Sequence, residues 1–297
     1  MSGPMRWRRG PQFVHLVDDE ELRGTLATDG RLLGITGAGG APGRTFLSLN
    51  VAMALAMDGL SVGLVEAGPG LGTVSVQLDL RESRSLPYLI HENAVTNLDD
   101  DLLNRHLQQS GPLDVLTGRF DADQSAALAP ELFDQVTNLL AQRHRLVVVD
   151  LGPMDSPLTV SLALRCQMLC WVVAPTPVGV DLFDRVMRSG IVQPLRTKPS
   201  VAVLNGSGDG TLPAGEDALL RRYGISVAAA IPFNRPASLR AESSGRPAVL
   251  GGQLRAPLRQ AARALASAAL KPISQPKVEL GADDTGASVF AAIGAET

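Results

Sequence analysis

The stretch Gly34-Ile35-Thr36-Gly37-Ala38-Gly39-Gly40-Ala41-Pro42-Gly43-Arg44-Thr45 decides the fold of this chain. The apolar run that ends at Ile35 is typical of a short buried strand, and the residues from Thr45 onward repeat apolar side chains at helical spacing. The glycines and the proline between them indicate a tight loop. A strand, a glycine-rich loop and a helix form a phosphate-binding arrangement, because backbone N–H groups and the helix N-terminus converge on the anion.

This loop departs from the Walker A pattern G-x-x-x-x-G-K-[ST] at two positions. Arg44 stands in place of the lysine, and the first glycine of the pattern falls on Ala38. Arginine keeps the positive charge on a larger planar group, so we expect phosphate contact with altered geometry. Thr45 keeps the hydroxyl that such loops place on Mg²⁺. The predicted phosphate-binding residues are Gly37, Gly39, Gly40, Ala41, Pro42, Gly43, Arg44, Thr45 and Phe46.

The bulk composition favours a globular cytoplasmic protein. The chain has 297 residues, of which 45% are hydrophobic, so it can form one large α/β domain or two small ones. No apolar run reaches the roughly 20 residues of a transmembrane helix, and the basic segment Met1–Arg9 lacks the apolar stretch of a signal peptide. Cys166 and Cys170 flank an apolar stretch and are predicted to be inert buried thiols rather than a metal or redox pair.

Strands and helices alternate along the central part of the chain. Strands are predicted at 32–36, 61–66, 113–116, 146–150, 168–174, 201–205 and 227–231. Helices are predicted at 45–57, 100–108, 130–142, 158–165, 181–189, 216–223 and 257–270. This alternation predicts an α/β fold with a doubly wound, mostly parallel sheet and helices on both faces. We expect one domain over 31–270, preceded by an N-terminal arm over 1–30 and followed by a flexible tail over 271–297.

Three polar residues end predicted strands, and ligands in such folds bind beyond the carboxyl ends of the strands. Asp150 follows a buried valine run and precedes Leu151-Gly152, which is the Walker B arrangement with its carboxylate near Mg²⁺. Glu66 ends an earlier strand, and Asn205 could contact a purine edge. Each residue also has a structural alternative: Asp150 could cap a turn, Glu66 could be a strand-end charge, and Asn205 suits a turn.

The order of these segments resembles the MinD/ParA branch of P-loop ATPases over about residues 31–270. Segment 31–56 resembles the deviant Walker A region and its helix, and 61–72 resembles the second strand and switch I. The loop form of 40–45, Gly-Ala-Pro-Gly-Arg-Thr, is similar to the CpaE/TadZ-like subgroup associated with assembly of type IV (Tad/Flp) pili. The resemblance implies a homodimer that binds ATP or ADP with Mg²⁺.

The same resemblance assigns roles to several residues. It implies that Thr45 holds Mg²⁺ directly, that Asp150 holds it through water, and that Asn205 and Pro232 lie beside the base. It also makes Glu66 and Asp150 the candidate catalytic residues.

Several catalytic residues of this family are absent from this chain. The family's signature lysine, which is distinct from the Walker A lysine replaced by Arg44, has no counterpart: its position is Ala38 or Gly39, depending on the alignment. The Asp-x-Asp motif of switch I is replaced by Glu66-Ala67-Gly68. Because phosphoryl transfer depends on positioned charge, these losses predict weak or absent hydrolysis.

A basic helix face is the remaining signal in the sequence. Arg255, Arg259 and Arg263 recur at i, i+4 and i+8, so they lie along one side of the final helix. This pattern fits either a solvated helix face or a surface for an acidic protein, DNA phosphates or anionic lipid.

The leading hypothesis is an ATP-dependent dimerising switch that positions or recruits a pilus or secretion assembly. Its expected partners are a secretion ATPase or related machinery, which would recruit the protein to the inner face of the membrane. Two alternatives stay open: a nucleotide-free scaffold, and a ParA-like DNA-associated partition protein that uses the basic face.

Overall fold

The computed structural model describes residues 30–39, 43–68, 72–93, 97–118, 128–207 and 220–271. Apart from Gly30 and Lys271, the predicted arm and tail lie outside these residues, as do Gly40, Ala41 and Pro42 of the loop and the first part of the helix predicted at 216–223.

One eight-stranded sheet organises the molecule. Its strands are β1 (Arg31–Gly37), β2 (Val62–Glu66), β3 (Gln108–Ser110), β4 (Leu113–Leu116), β5 (Leu146–Pro153), β6 (Met168–Val173), β7 (Ser200–Ser207) and β8 (Ser226–Pro232). Their order is β3-β4-β2-β5-β1-β6-β7-β8, and every neighbouring pair is parallel except β3 and β4. The predicted doubly wound, mostly parallel sheet is therefore confirmed.

Helices cover both faces of this sheet. They are α1 (Arg44–Met57), α2 (Val74–Gln77), α3 (Leu86–Asn93), α4 (Asp100–His106), α5 (Pro130–Arg143), α6 (Pro157–Arg165), α7 (Pro177–Arg188), α8 (Arg235–Ser244) and α9 (Arg255–Leu270). Short 3₁₀ helices lie at Gly190–Leu195 and Ala248–Leu250. Among the described helices, none is both long and apolar enough to cross a lipid bilayer.

Two hydrophobic cores form because side chains alternate across each strand. In β5, Val147 and Val149 pack into the core beneath α3 to α7, whereas Val148 packs into the core beneath α1 and α9. Nearly every residue of the central strands is buried, which explains their continuous apolar sequence. Both cysteines are free and buried, and burial raises the pKa of the Cys166 thiol to about 12, as expected for an inert thiol.

The structure corrects several predicted boundaries. Helix α7 begins at Pro177 rather than at 181, because the Thr176 side chain caps the Gly179 N–H and proline is favoured in the first turn. Helix α4 ends at His106 rather than at 108, because the following residues form the antiparallel edge strand β3. The short helices α2, α3 and α8 were not predicted from the sequence.

Candidate functional site

The glycine-rich loop leaves the carboxyl end of β1, between β5 and β6. At the strand end, the Gly37 carbonyl accepts a hydrogen bond from the Met154 N–H at 3.0 Å. On the other side of the loop, Gly43 is the N-cap of α1, and its carbonyl accepts the Leu47 N–H at 2.9 Å. Arg44, Thr45 and Phe46 form the first turn of this helix, so the predicted phosphate-binding residues that are described lie together at a helix N-terminus.

Asn205 lies directly against this loop. Gly43 has a φ of 85°, and a Cβ at this position would overlap the Asn205 Nδ2. Only glycine therefore suits this position, both for its left-handed backbone and for the close approach of the amide. The predicted base-side residue and the predicted phosphate loop are thus in direct contact, although their sequence positions are far apart.

Thr45 and Asp150 form the centre of the site. The Thr45 hydroxyl and the Gly152 N–H lie beside the Asp150 carboxylate and favour its ionised form. Asp150 is buried, and its Oδ1 has no hydrogen-bond partner in the described part of the chain. Burial raises the pKa of Asp150, while Thr45 and the Arg44 charge oppose that rise. An unpaired carboxylate oxygen beside a hydroxyl is a donor set that fits Mg²⁺.

Glu66 has a different environment from Asp150, although the two residues are register partners on β2 and β5. Its Oε1 accepts the N–H groups of Thr73 at 2.8 Å and Val74 at 3.2 Å, and its Oε2 accepts the Gly118 N–H at 3.0 Å. Three backbone donors therefore engage a side chain that is 4% exposed. This geometry gives Glu66 the structural task of joining the segment after β2 to the end of β4.

Burial raises the pKa of Glu66 to about 7, even though its three backbone hydrogen bonds favour the ionised form. The Asp150 charge contributes to the rise. Two buried carboxylates on neighbouring strands thus repel each other, and a divalent cation beside Asp150 would relieve this repulsion.

Arg44 folds back toward its own loop. Its Nη1 donates to the Gly39 carbonyl at 3.4 Å, and its charge interacts with Asp150 and Asp155. Burial lowers the pKa of Arg44, but arginine stays protonated in proteins. The arginine thus keeps a cation within the loop where the Walker A lysine would stand. Gly39 has a φ of 130°, so of the two positions aligned with the signature lysine, only Ala38 could carry a lysine without backbone strain.

The basic face of α9 is partly occupied within the molecule. Arg259 and Arg263 both form ion pairs with Asp58, the residue that ends α1, and Arg263 Nε lies 3.2 Å from its Oδ2. These contacts hold the last helix against the helix that follows the glycine-rich loop. Arg255 instead lines a small apolar notch beside Met57 and Leu250.

Two further residues lie near the site and were not predicted as site residues. Asn50 joins α1 to the 3₁₀ turn at Ala248–Leu250, since its Nδ2 donates to the Phe46 carbonyl at 2.8 Å and its Oδ1 accepts the Val249 N–H at 2.8 Å. Phe233 follows Pro232 at the end of β8 and is 72% exposed, next to Gly206. A buried asparagine in a helix and an aromatic residue after a strand-ending proline are the signals that could have identified them.

Comparisons with known proteins identify the fold. No protein-family model and no curated protein sequence matches the chain. The cell division ATPase MinD of Pyrococcus furiosus has a TM-score of 0.66 at 20% identity, covering 80% of this chain and 99% of that one. MinD of Pyrococcus horikoshii, complexed with Mg-ADP, has a TM-score of 0.65 at 18% identity, covering 78% of this chain and 94% of that one.

A ParA family ATPase from Chlorobium tepidum is similar to the same extent. Its TM-score is 0.65 at 20% identity, and the match covers 80% of this chain and 99% of that one. Identities this low establish the fold and leave the activity to be argued from the site. The chain therefore has the fold of the MinD/ParA P-loop ATPases.

Proposed function

We propose that this chain is an ATP-dependent dimerising switch that positions or recruits a pilus or secretion assembly, with weak or lost hydrolysis. The observation that carries the proposal is the buried Asp150 carboxylate beside Thr45, whose Oδ1 has no hydrogen-bond partner among the described residues. A buried carboxylate of this kind costs free energy unless a cation or donor engages it.

The chain's own residues supply a nucleotide site. Thr45 and Asp150 would hold Mg²⁺, which when bound neutralises charge on the phosphate oxygens. The backbone of Gly37, Gly39 and Gly43 and the Arg44 guanidinium would hold the phosphates. In this proposal Asn205 and Pro232 lie on the base side, and the exposed ring of Phe233 offers a surface for the base.

Weak hydrolysis follows from the state of Glu66. Within the described residues, Glu66 accepts hydrogen bonds from three backbone N–H groups, so it is committed to holding the chain rather than to orienting a water. The second carboxylate of the switch is replaced by Gly68, and a Cβ added at this position would crowd the backbone of Gly152. A site that retains cation and phosphate ligands but lacks a positioned base favours binding over turnover.

Size-exclusion chromatography with light scattering tests the switch. The protein is measured with ATP and Mg²⁺, with ADP and Mg²⁺, and without nucleotide. We expect a dimer with ATP and a smaller species in the other two samples. The same mass in all three samples would contradict the switch. Neighbouring genes for a secretion ATPase or a pilin would support the pilus assignment, and a gene neighbourhood without either would count against it.

A nucleotide-free scaffold is the second candidate. It is favoured by the contacts within the loop, where Arg44 donates to the Gly39 carbonyl and Asn205 lies against Gly43. In a scaffold these contacts are permanent, whereas in a switch a nucleotide would replace them.

A further inference from the structure

A cavity lies at the amino ends of the strands, whereas the glycine-rich loop lies at their carboxyl ends. It has a volume of about 220 Å³ and is bounded by the amino ends of β7 and β8, by the turn at 223–225 and by Trp171 of β6. At roughly 30 Å³ for each water molecule, this volume corresponds to about seven waters. It is therefore large enough for a small organic molecule.

The apolar wall of this cavity is held rigid by aromatic packing. Trp171 packs edge-on against Phe183 with ring centroids 5.6 Å apart, and Phe183 packs edge-on against Tyr223 at 6.0 Å. The Tyr223 hydroxyl donates to Asp184 Oδ1 at 2.6 Å, which fixes the ring at the end of this series. Leu195 and Ile225 complete the apolar lining.

Two cationic side chains also line the cavity. Arg196 Nη2 donates to the Met187 carbonyl at 2.9 Å, and Lys198 Nζ donates to the Cys166 carbonyl at 2.7 Å. These hydrogen bonds hold both side chains in place but use only one N–H group each. Among the described residues, the remaining N–H groups of these two cations meet no hydrogen-bond acceptor in the protein.

No carboxylate lies among the residues that line the cavity in the described part of the chain. The nearby Asp184 is engaged by the Tyr223 hydroxyl and by Arg188, whose Nε lies 2.7 Å from its Oδ2. The cavity therefore combines excess positive charge and unused donors with a rigid apolar wall. Burial lowers the pKa of Lys198, as expected for an ammonium group that lacks a counter-ion.

We propose that this cavity is a second ligand site, in which Arg196 and Lys198 hold the phosphate or carboxylate of a small organic anion against the apolar wall. Charge-assisted hydrogen bonds from a guanidinium and an ammonium recognise the anionic group. The aromatic wall contributes by covering the apolar part of the ligand. This site is separate from the nucleotide site, so the proposal does not depend on ATP binding.

Lysine labelling is a site-specific test, because the chain has three lysines, Lys198, Lys271 and Lys277, and of the two that the structure describes, Lys198 lines the cavity and Lys271 does not. The rate of amine acetylation at each lysine is measured by mass spectrometry in the presence of phenyl phosphate, benzoate or inorganic phosphate. We expect phenyl phosphate to slow labelling of Lys198 at least tenfold and to leave Lys271 unchanged. Stronger protection by phenyl phosphate than by benzoate indicates a phosphate ligand, and the reverse order indicates a carboxylate.

Substitutions give an independent readout by calorimetry with phenyl phosphate. Arg196→Gln and Lys198→Gln are each expected to weaken binding at least tenfold, whereas the control Lys271→Gln removes an exposed charge and leaves binding unchanged. Arg196 is exposed, so its variant tests the site even if the Lys198 variant does not fold. Labelling of Lys198 that is unaffected by all three anions, or equal binding by Arg196→Gln and the unmodified protein, would overturn the proposal.

Discussion

At the scale of single residues, Glu66 and Asp150 show how two carboxylates at matched strand positions take different tasks. Both carboxylate oxygens of Glu66 accept backbone N–H groups, whereas Asp150 keeps an unpaired oxygen beside Thr45. The sequence predicts both residues at strand ends but does not separate their roles. The partners of Glu66 come from residues 73, 74 and 118, and nothing in the local sequence predicts that these N–H groups converge.

The raised pKa of Glu66 predicts a pH-dependent stability. The folded-state pKa of about 7 lies above the ordinary value of 4.5, so the folded protein binds this proton more tightly than the unfolded chain. The Glu66 proton therefore stabilises the folded protein at pH 4.5, and this stabilisation is lost as the pH rises to 7. The loss lowers the free energy of unfolding by about 3 kcal/mol.

Glu66→Gln tests this dependence, because glutamine does not titrate. The variant loses the hydrogen bond from the Gly118 N–H and should be less stable than the unmodified protein at pH 5. The difference in the free energy of unfolding between Glu66→Gln and the unmodified protein should shrink as the pH rises to 8. Urea denaturation at both pH values measures it, with the exposed Glu242→Gln as the control. A difference that grows with pH would mean that the backbone donors outweigh burial.

At the scale of elements, the start of α1 depends on a contact between distant segments. Gly43 adopts a left-handed conformation and accommodates Asn205 from β7. The glycines of this loop are evident in the sequence, but the reason for glycine at this position is not, because Asn205 is more than 150 residues away.

Gly43→Ala should destabilise the protein by backbone strain and also by displacing Asn205. Gly59 is a matched control, since its φ is 94° and a Cβ there meets nothing within 4 Å. Gly59→Ala should therefore cost only the strain, about 1 kcal/mol, and Gly43→Ala should cost more. Adding Asn205→Ala to Gly43→Ala should remove the part of the stability loss that exceeds the loss in Gly59→Ala. Equal losses for both alanine variants in chemical denaturation would show that Asn205 does not constrain Gly43.

Asp58 joins the C-terminal end of α1 to Arg259 and Arg263 of α9. Arg259→Gln and Arg263→Gln should each lower the free energy of unfolding by about 0.5 kcal/mol, because partly exposed ion pairs contribute little. Arg255→Gln, at the start of the same basic face, should change it by less. Thermal denaturation of the three variants measures these effects, and an equal loss in all three would indicate a role unrelated to Asp58.

These ion pairs also decide how a partner surface on α9 should be tested. A triple substitution would disturb the packing of α9 as well as any contact with DNA or protein. The sequence reveals the row of arginines but not their internal acceptor, because Asp58 lies about 200 residues earlier. Arg255→Glu is the variant that separates the two effects.

At the scale of the whole molecule, much of the architecture is predictable. Continuous apolar strands such as β5 and the long helices α1, α5 and α9 are evident because many residues repeat one pattern. The short helices α2 and α3 are stabilised by packing rather than by their own sequence, and β3 pairs only at the edge. Thr45 and Asp150 could be expected to meet because parallel strands place their carboxyl ends at one edge.

Calorimetric titration of ATP, with and without Mg²⁺, tests the central claim most directly. Asp155→Asn is the control for Asp150→Asn, since Asp155 is an exposed carboxylate that also interacts with Arg44. We predict that Mg²⁺ strengthens ATP binding to the unmodified protein and to Asp155→Asn. In Asp150→Asn, the factor by which Mg²⁺ increases the affinity for ATP should be at least tenfold smaller. No ATP binding in the presence of Mg²⁺, or an Mg²⁺ effect that survives in Asp150→Asn, would contradict a nucleotide switch built on Thr45 and Asp150.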